Sequence, residues 1–209
     1  MKRGSAWLAA YAVIAAVHLV TIAVGERWPE IVTKLLLMPI LAVWARLRGA
    51  PVALLIGLAA SLVGDYLLEI DQLVPGMAAF GVTHVCYVGL FLRRSRRRSP
   101  GVLAAYGVVW LVTLALLWPG LQGVRGPVVL YSLLLTTTAV TSAWSGWRSG
   151  IGGAVFLVSD ALIGVGLAGY EFAARPYLVM ATYCVAQYLL ANGLSSVREP
   201  AEQDLERAA

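Results

Sequence analysis

Apolar residues along this chain run in blocks of about 20, each closed by a short polar or proline–glycine segment. Eight such spans are expected, at 7–24, 31–46, 51–70, 75–92, 101–118, 127–147, 151–170 and 176–194. Most have the length that crosses a hydrocarbon layer at about 1.5 Å per residue. The second is the weakest, because Lys34 and Pro39 interrupt it. Pro51, Pro75, Pro100, Pro127 and Pro176 sit at span starts, where the first helical turn has free N–H groups and tolerates proline. Trp7, Trp28, Trp44, Trp118 and Trp147 fall near span ends, the spacing of an interfacial aromatic belt. The pattern predicts an all-α, polytopic transmembrane bundle of eight helices over 1–197, with short connections and a polar tail at 198–209.

Composition narrows the class. Of 209 residues, 60% are apolar and 13% charged, and the mean hydropathy is +0.79. A water-soluble globule of this size needs about twice the charge to cover its surface. The same numbers exclude a disordered chain and speak against a nucleic-acid-binding domain despite the net charge of +5. Met1-Lys2-Arg3 before an apolar stretch imitates a secretory signal, but the chain returns at once to apolar sequence, so 7–24 reads as a first membrane helix. Cys86 and Cys184 both lie inside apolar runs and read as small packed hydrophobes.

Charge sets an expected orientation. With the N-terminus cytoplasmic, 12 of the 16 Lys and Arg residues face inward, including the five arginines between Arg93 and Arg98. Arg27, Lys34, Arg125 and Arg175 face outward. That asymmetry is the positive-inside pattern and places both termini in the cytoplasm. The arginine run is thus a topology signal that contacts anionic lipid, not a nucleic-acid patch.

A charge inside hydrocarbon costs several kcal/mol and needs a reason. His18, Asp65, His84 and Asp160 lie well inside the spans, with Gln187, Tyr183, Ser61, Ser159 and Thr83 adding polar groups. Counted from the inner arginines at 1.5 Å per residue, His84, Asp160 and Gln187 fall about 14–18 Å deep and Asp65 about 25 Å. The polar groups of spans 3, 4, 7 and 8 can therefore share one cavity toward the outer half. A carboxyl in each of two spans exceeds what packing requires, so Asp65 and Asp160 read as functional. His84 has Tyr87 on nearly the same face. His18 has no companion motif and reads as structural. Gln187 either ties helices together or serves a site, and Lys34 either snorkels to the interface or faces a phosphate. No His-x-x-x-His or His-Glu-x-x-His spacing points to a metal, and no cofactor fingerprint is present. Residues 61–68 (Ser-Leu-Val-Gly-Asp-Tyr-Leu-Leu) echo 156–163 (Phe-Leu-Val-Ser-Asp-Ala-Leu-Ile) at an offset of 95, compatible with a duplicated four-helix unit or with chance.

The stretches Thr33-Lys34, Ser61-Leu-Val-Gly-Asp65, Thr83-His84-Val-Cys-Tyr87, Val158-Ser159-Asp160 and Thr182-Tyr183-Cys-Val-Ala-Gln187-Tyr188 together resemble the YhhN family of integral membrane proteins, the lysoplasmalogenase family. Lys34 is followed by leucine where the family has proline; here the proline comes at Pro39. The resemblance implies a multi-pass protein of the cell membrane that hydrolyses the vinyl ether bond of a lysophospholipid, giving a fatty aldehyde and a glycerophospho-base. It implies catalytic roles for Asp65, Asp160 and His84. It implies substrate contacts for Lys34, Tyr87, Ser159, Tyr183 and Gln187, with neither metal nor cofactor. Two carboxyls suit that chemistry, as they suit the oxocarbenium problem in glycosidases, and desolvation favours the neutral form of a carboxyl. A proton-coupled transporter using the aspartates as a relay is the rival class, and a non-enzymatic membrane scaffold is a third.

Overall fold

The computed structural model describes residues 2–95 and 98–195. The expected tail at 198–209, together with Arg96 and Arg97 of the arginine run, lies outside them. Among the described residues the chain is all-helical: α1 (Lys2–Val24), α2 (Arg27–Leu47), α3 (Val52–Glu69), α4 (Leu73–Arg94), α5 (Pro100–Leu117), α6 (Arg125–Ser145), α7 (Trp147–Leu167) and α8 (Arg175–Ser195). Seven are long and apolar enough to cross a membrane. The exception is α2, which is equally long but carries Arg27, Glu30, Lys34 and Arg46. Its helix runs through Pro39 unbroken. Starts follow the proline pattern: Pro51 is the residue before α3, and Pro100 opens α5 behind the Ser99 cap, whose hydroxyl accepts from the Val102 N–H. Gly49, at φ +78°, turns the chain between α2 and α3 where a side chain would be strained.

Packing arranges six helices into a ring in the order α2, α3, α4, α6, α7, α8, with α8 closing back on α2. Two helices lie outside it: α1 against α2 and α8, and α5 against α6 and α7. The order repeats. In each half of the chain the first helix is peripheral and the next three belong to the ring. The two echoing segments thus occupy equivalent places, Asp65 on α3 and Asp160 on α7. The peripheral α5 has no buried residue, as a helix facing lipid on most of its surface requires.

Small residues set the seams. On α3, a Cβ at Gly57 would lie 3.1 Å from the Tyr87 ring and one at Gly64 2.6 Å from the Phe80 ring, so α4 can seat its aromatics directly on the α3 backbone. On α7, a Cβ at Gly153 would lie 2.8 Å from the Ala139 Cα of α6, and one at Gly152 2.9 Å from Leu189 of α8. These approaches place the carboxyl-bearing helices α3 and α7 close to their neighbours. One belt assignment is corrected. Trp28 and Trp147 are exposed at helix ends, but Trp44 is 2% exposed. It packs against Tyr188 with ring centroids 5.5 Å apart, under the Arg48 guanidinium, because its helical face turns toward α8 and not toward lipid.

Candidate active site

A cavity of about 300 Å³ opens inside the ring, in the half where α3 ends and α4 begins. Its walls are the last turns of α3 and α7 and the first turns of α4, α6 and α8, with Val109 to Leu117 of α5 covering one side. Apolar side chains make most of the lining. Its charged residues are Lys34, Asp65 and Asp160, and Ser159, Tyr131, Tyr183, Thr113 and Ser132 add hydroxyls.

Each carboxylate receives a tyrosine hydroxyl from another helix. Tyr183 of α8 donates to Asp65 Oδ2 at 2.8 Å, and Tyr131 of α6 donates to Asp160 Oδ2. Asp65 is 3% exposed, whereas Asp160 is half-buried. Buried carboxyls persist only where polar partners meet them, and each of these two accepts a tyrosine hydroxyl. Lys34 of α2 reaches the same cavity and pairs with Glu69, one turn beyond Asp65 on α3, at 2.6 Å. Ser159, next to Asp160, donates to the carbonyl of Val179 and ties α7 to α8 at the cavity wall.

The remaining predicted residues stand behind the wall. His84 is fully buried and does not line the cavity. Its Nε2 lies 3.3 Å from the Tyr131 hydroxyl and its Nδ1 3.1 Å from the Thr138 hydroxyl, so it meets Asp160 only through Tyr131. Its ring also packs on Phe156, 5.0 Å between centroids, and Phe156 in turn packs on Tyr183. Tyr87 and Gln187 form a buried cluster outside the cavity lining. The Tyr87 hydroxyl donates to Gln187 Oε1 at 2.7 Å, and Gln187 Nε2 donates to Ser61 at 3.0 Å. Ser61 contacts Thr83, whose hydroxyl reaches the Gly57 carbonyl. This chain knits α3, α4 and α8 beneath the cavity. His18 lies apart, with Nδ1 on the Thr33 hydroxyl at 2.9 Å. Among the described residues no three of His, Cys, Asp and Glu gather as a metal site would need.

Tyr131 and Thr138 escaped the sequence reading. Their signal was weak, because a tyrosine seven residues into a helix and a threonine in a Thr-Thr-Thr run both pass as ordinary membrane-helix residues. Only the α4–α6 contact brings them to His84.

The profile of the YhhN family matches residues 30–194. The lysoplasmalogenase of Mycobacterium tuberculosis (strain CDC 1551 / Oshkosh) is 30% identical over 156 residues, which is 66% of this chain and 59% of that protein. Lysoplasmalogenase TMEM86A of Homo sapiens is 32% identical over 163 residues, covering 70% of this chain and 67% of the relative. Lysoplasmalogenase TMEM86B of Rattus norvegicus is 29% identical over 203 residues, 93% and 85% of the two chains. The chain therefore spans less than two thirds of the mycobacterial relatives' length. No solved structure matches it.

Proposed function

The chain belongs to the YhhN family, and we propose from that premise that it is a membrane hydrolase that cleaves the vinyl ether bond of lysoplasmalogens. The observation that carries the reading is that Asp65 and Asp160, from opposite halves of the chain, line one mostly apolar cavity together with Lys34. A lysolipid offers a matching set of features: one aliphatic chain, one acid-labile bond and one phosphate.

Vinyl ether cleavage needs a proton at carbon. One carboxylic acid gives its proton to the alkene carbon remote from oxygen, and the double-bond electrons form the new C–H bond. The resulting oxocarbenium ion is stabilised by the other carboxylate, as in retaining and inverting glycosidases. Water adds to the cationic carbon and yields its proton to that second carboxylate. The hemiacetal then collapses. Its hydroxyl proton returns to the first carboxylate, the second carboxylic acid protonates the ether oxygen, and the C–O bond breaks. Aldehyde and glycerophospho-base leave, and both carboxyls regain their starting states. Tyr131 and Tyr183 hold the two carboxyls in place, while Lys34 meets the phosphate by exchanging Glu69 for it. Ethanolamine and choline headgroups both fit this scheme, and the positive-inside pattern supports a cavity in the outer half of the membrane.

The test is aldehyde release by the purified protein in detergent, from a lysoplasmalogen and from its saturated ether analogue. Aldehyde from the vinyl ether alone, reduced about 100-fold or more in both Asp65→Asn and Asp160→Asn, supports the reading. Detergent has no sealed compartments, so product there cannot come from a transporter. Folded protein that yields no aldehyde over a range of pH and headgroups refutes the proposal and brings forward proton-coupled transport.

A further inference from the structure

The two carboxyls are not equivalent in their surroundings, and the difference assigns their roles. Asp160 begins a continuous line of polar contacts that leaves the cavity: Tyr131, then His84, then Thr138, then the Leu134 carbonyl, which lies 3.1 Å from the Thr138 hydroxyl. This line can be filled with hydrogens in two directions. With Asp160 ionised, Tyr131 donates to it, His84 Nε2–H donates to Tyr131 and the Thr138 hydroxyl donates to His84 Nδ1. With Asp160 protonated and His84 in its Nδ1–H tautomer, the three side-chain bonds reverse: Asp160 donates to Tyr131, Tyr131 to Nε2 and His84 Nδ1–H to Thr138, whose hydroxyl then donates to the Leu134 carbonyl. All four side chains stay paired in both states. A buried polar group left unpaired costs about 1–3 kcal/mol, so a network complete in either direction leaves no group unpaired when Asp160 changes protonation. Asp65, by contrast, lies one helical turn from Glu69, which holds the Lys34 ammonium at 2.6 Å, so the cation that lines the cavity stands on the α3 side with Asp65, the carboxyl suited to stay ionised.

We infer that Asp160 is the general acid that protonates the vinyl ether carbon, that Asp65 is the carboxylate facing the oxocarbenium ion, and that Tyr131, backed by His84 and Thr138, is the positioning residue that lets Asp160 lose and regain its proton. The inference rests on the proposed hydrolysis for the word acid, but the asymmetry between the two carboxyls is measurable without turnover. The ionisable groups facing the cavity alongside Asp160 are Lys34 of α2, Asp65 of α3, Tyr131 of α6 and Tyr183 of α8; α5 contributes none, and His84 of α4 stands behind Tyr131.

Infrared titration of the full chain in detergent reads the protonated carboxyl stretch directly. The expected result is a band at neutral pH that Asp160→Asn abolishes and Asp65→Asn keeps. Its titration midpoint should move by about one pH unit in Tyr131→Phe and in the same direction, by less, in Thr138→Val. Kinetically, Tyr131→Phe should lower kcat about tenfold with KM within twofold, and displace the pH profile of kcat. A tyrosine serving only the fold would lower Tm and leave that profile in place. A neutral-pH band that disappears with Asp65→Asn instead, or a midpoint unmoved in both Tyr131→Phe and Thr138→Val, overturns the assignment. Wild-type protein that passes the infrared test but makes no aldehyde refutes the hydrolase reading and leaves the asymmetry standing.

Discussion

Replacing Gly153 by alanine tests the α6–α7 seam that carries the Tyr131–Asp160 pair. The new Cβ would stand 2.8 Å from the Ala139 Cα, and it would also collide with the Ser142 hydroxyl, which is held on the Ala139 carbonyl. Ordinary carbon–carbon contact is about 3.5–4.0 Å, so the two backbones must part by about 0.7–1.2 Å. Because the nearest carbon is backbone, no rotamer change can absorb the clash. Overpacking of that kind costs about 1–3 kcal/mol. For a chain of this size each kcal/mol lowers Tm by about 2–4 °C. The displacement also reaches the site: Tyr131 lies eight residues from Ala139, and Asp160 seven from Gly153, about 10–12 Å along each helix. Activity should therefore fall with stability. Cys184 is buried, so labelling by a thiol-reactive fluorophore during a thermal ramp in detergent reports unfolding. Gly89→Ala and Gly107→Ala are the controls, since nothing lies within 4 Å of the added methyl at either site. Helix propensity then predicts unchanged or higher stability, by up to about 1 kcal/mol, and a Tm that does not fall. Equal Tm values for Gly153→Ala and Gly89→Ala would refute the close approach of α6 and α7.

Three further outcomes are expected. Lys34→Ala should raise KM for a lysoplasmalogen about tenfold with little change in kcat, the worth of one charge-assisted contact to phosphate; an unchanged KM removes Lys34 from substrate binding. Tyr87→Phe leaves Gln187 Oε1 without its donor and should cost about 1–3 kcal/mol of stability while KM stays within twofold, and a selective change in KM would instead place Tyr87 on the substrate. His18→Leu should be nearly neutral in thermal unfolding, within about 1 kcal/mol. It removes a buried Nε2 that has no partner, and Thr33 keeps its bonds to the Pro29 and Glu30 carbonyls. A large loss of Tm would show that Nε2 has a bonded partner in solution.

The helices and the two carboxyls were legible in the sequence for one reason. Hydrocarbon makes every polar departure expensive, so Asp65 and Asp160 stand out in their runs without any knowledge of neighbours. What a side chain faces is a different kind of information. Trp44 sits where a belt tryptophan belongs along the chain, yet the contact of α2 with α8 buries it. His84 was legible as a polar residue at mid-depth, but its separation from the cavity follows from Tyr131 standing in front of it. Tyr131 itself was silent because a tyrosine costs little in an apolar span. Tyr87 and Gln187 share the depth of the site and still do not line the cavity, since depth along a helix does not state its rotation.

The exposed helix α5 has a consequence for traffic. One wall of the cavity is a single helix with lipid at its back, held to α6 by the Trp110–Ser132 bond and to α7 by the approach of Leu117 to Gly164. Under the proposed reaction the substrate breaks into two pieces of opposite solubility. The aldehyde can slip sideways past α5 into the bilayer, while the glycerophospho-base leaves by way of Lys34 into water. Cleavage then sorts its own products by phase, and neither has to wait for the other to depart.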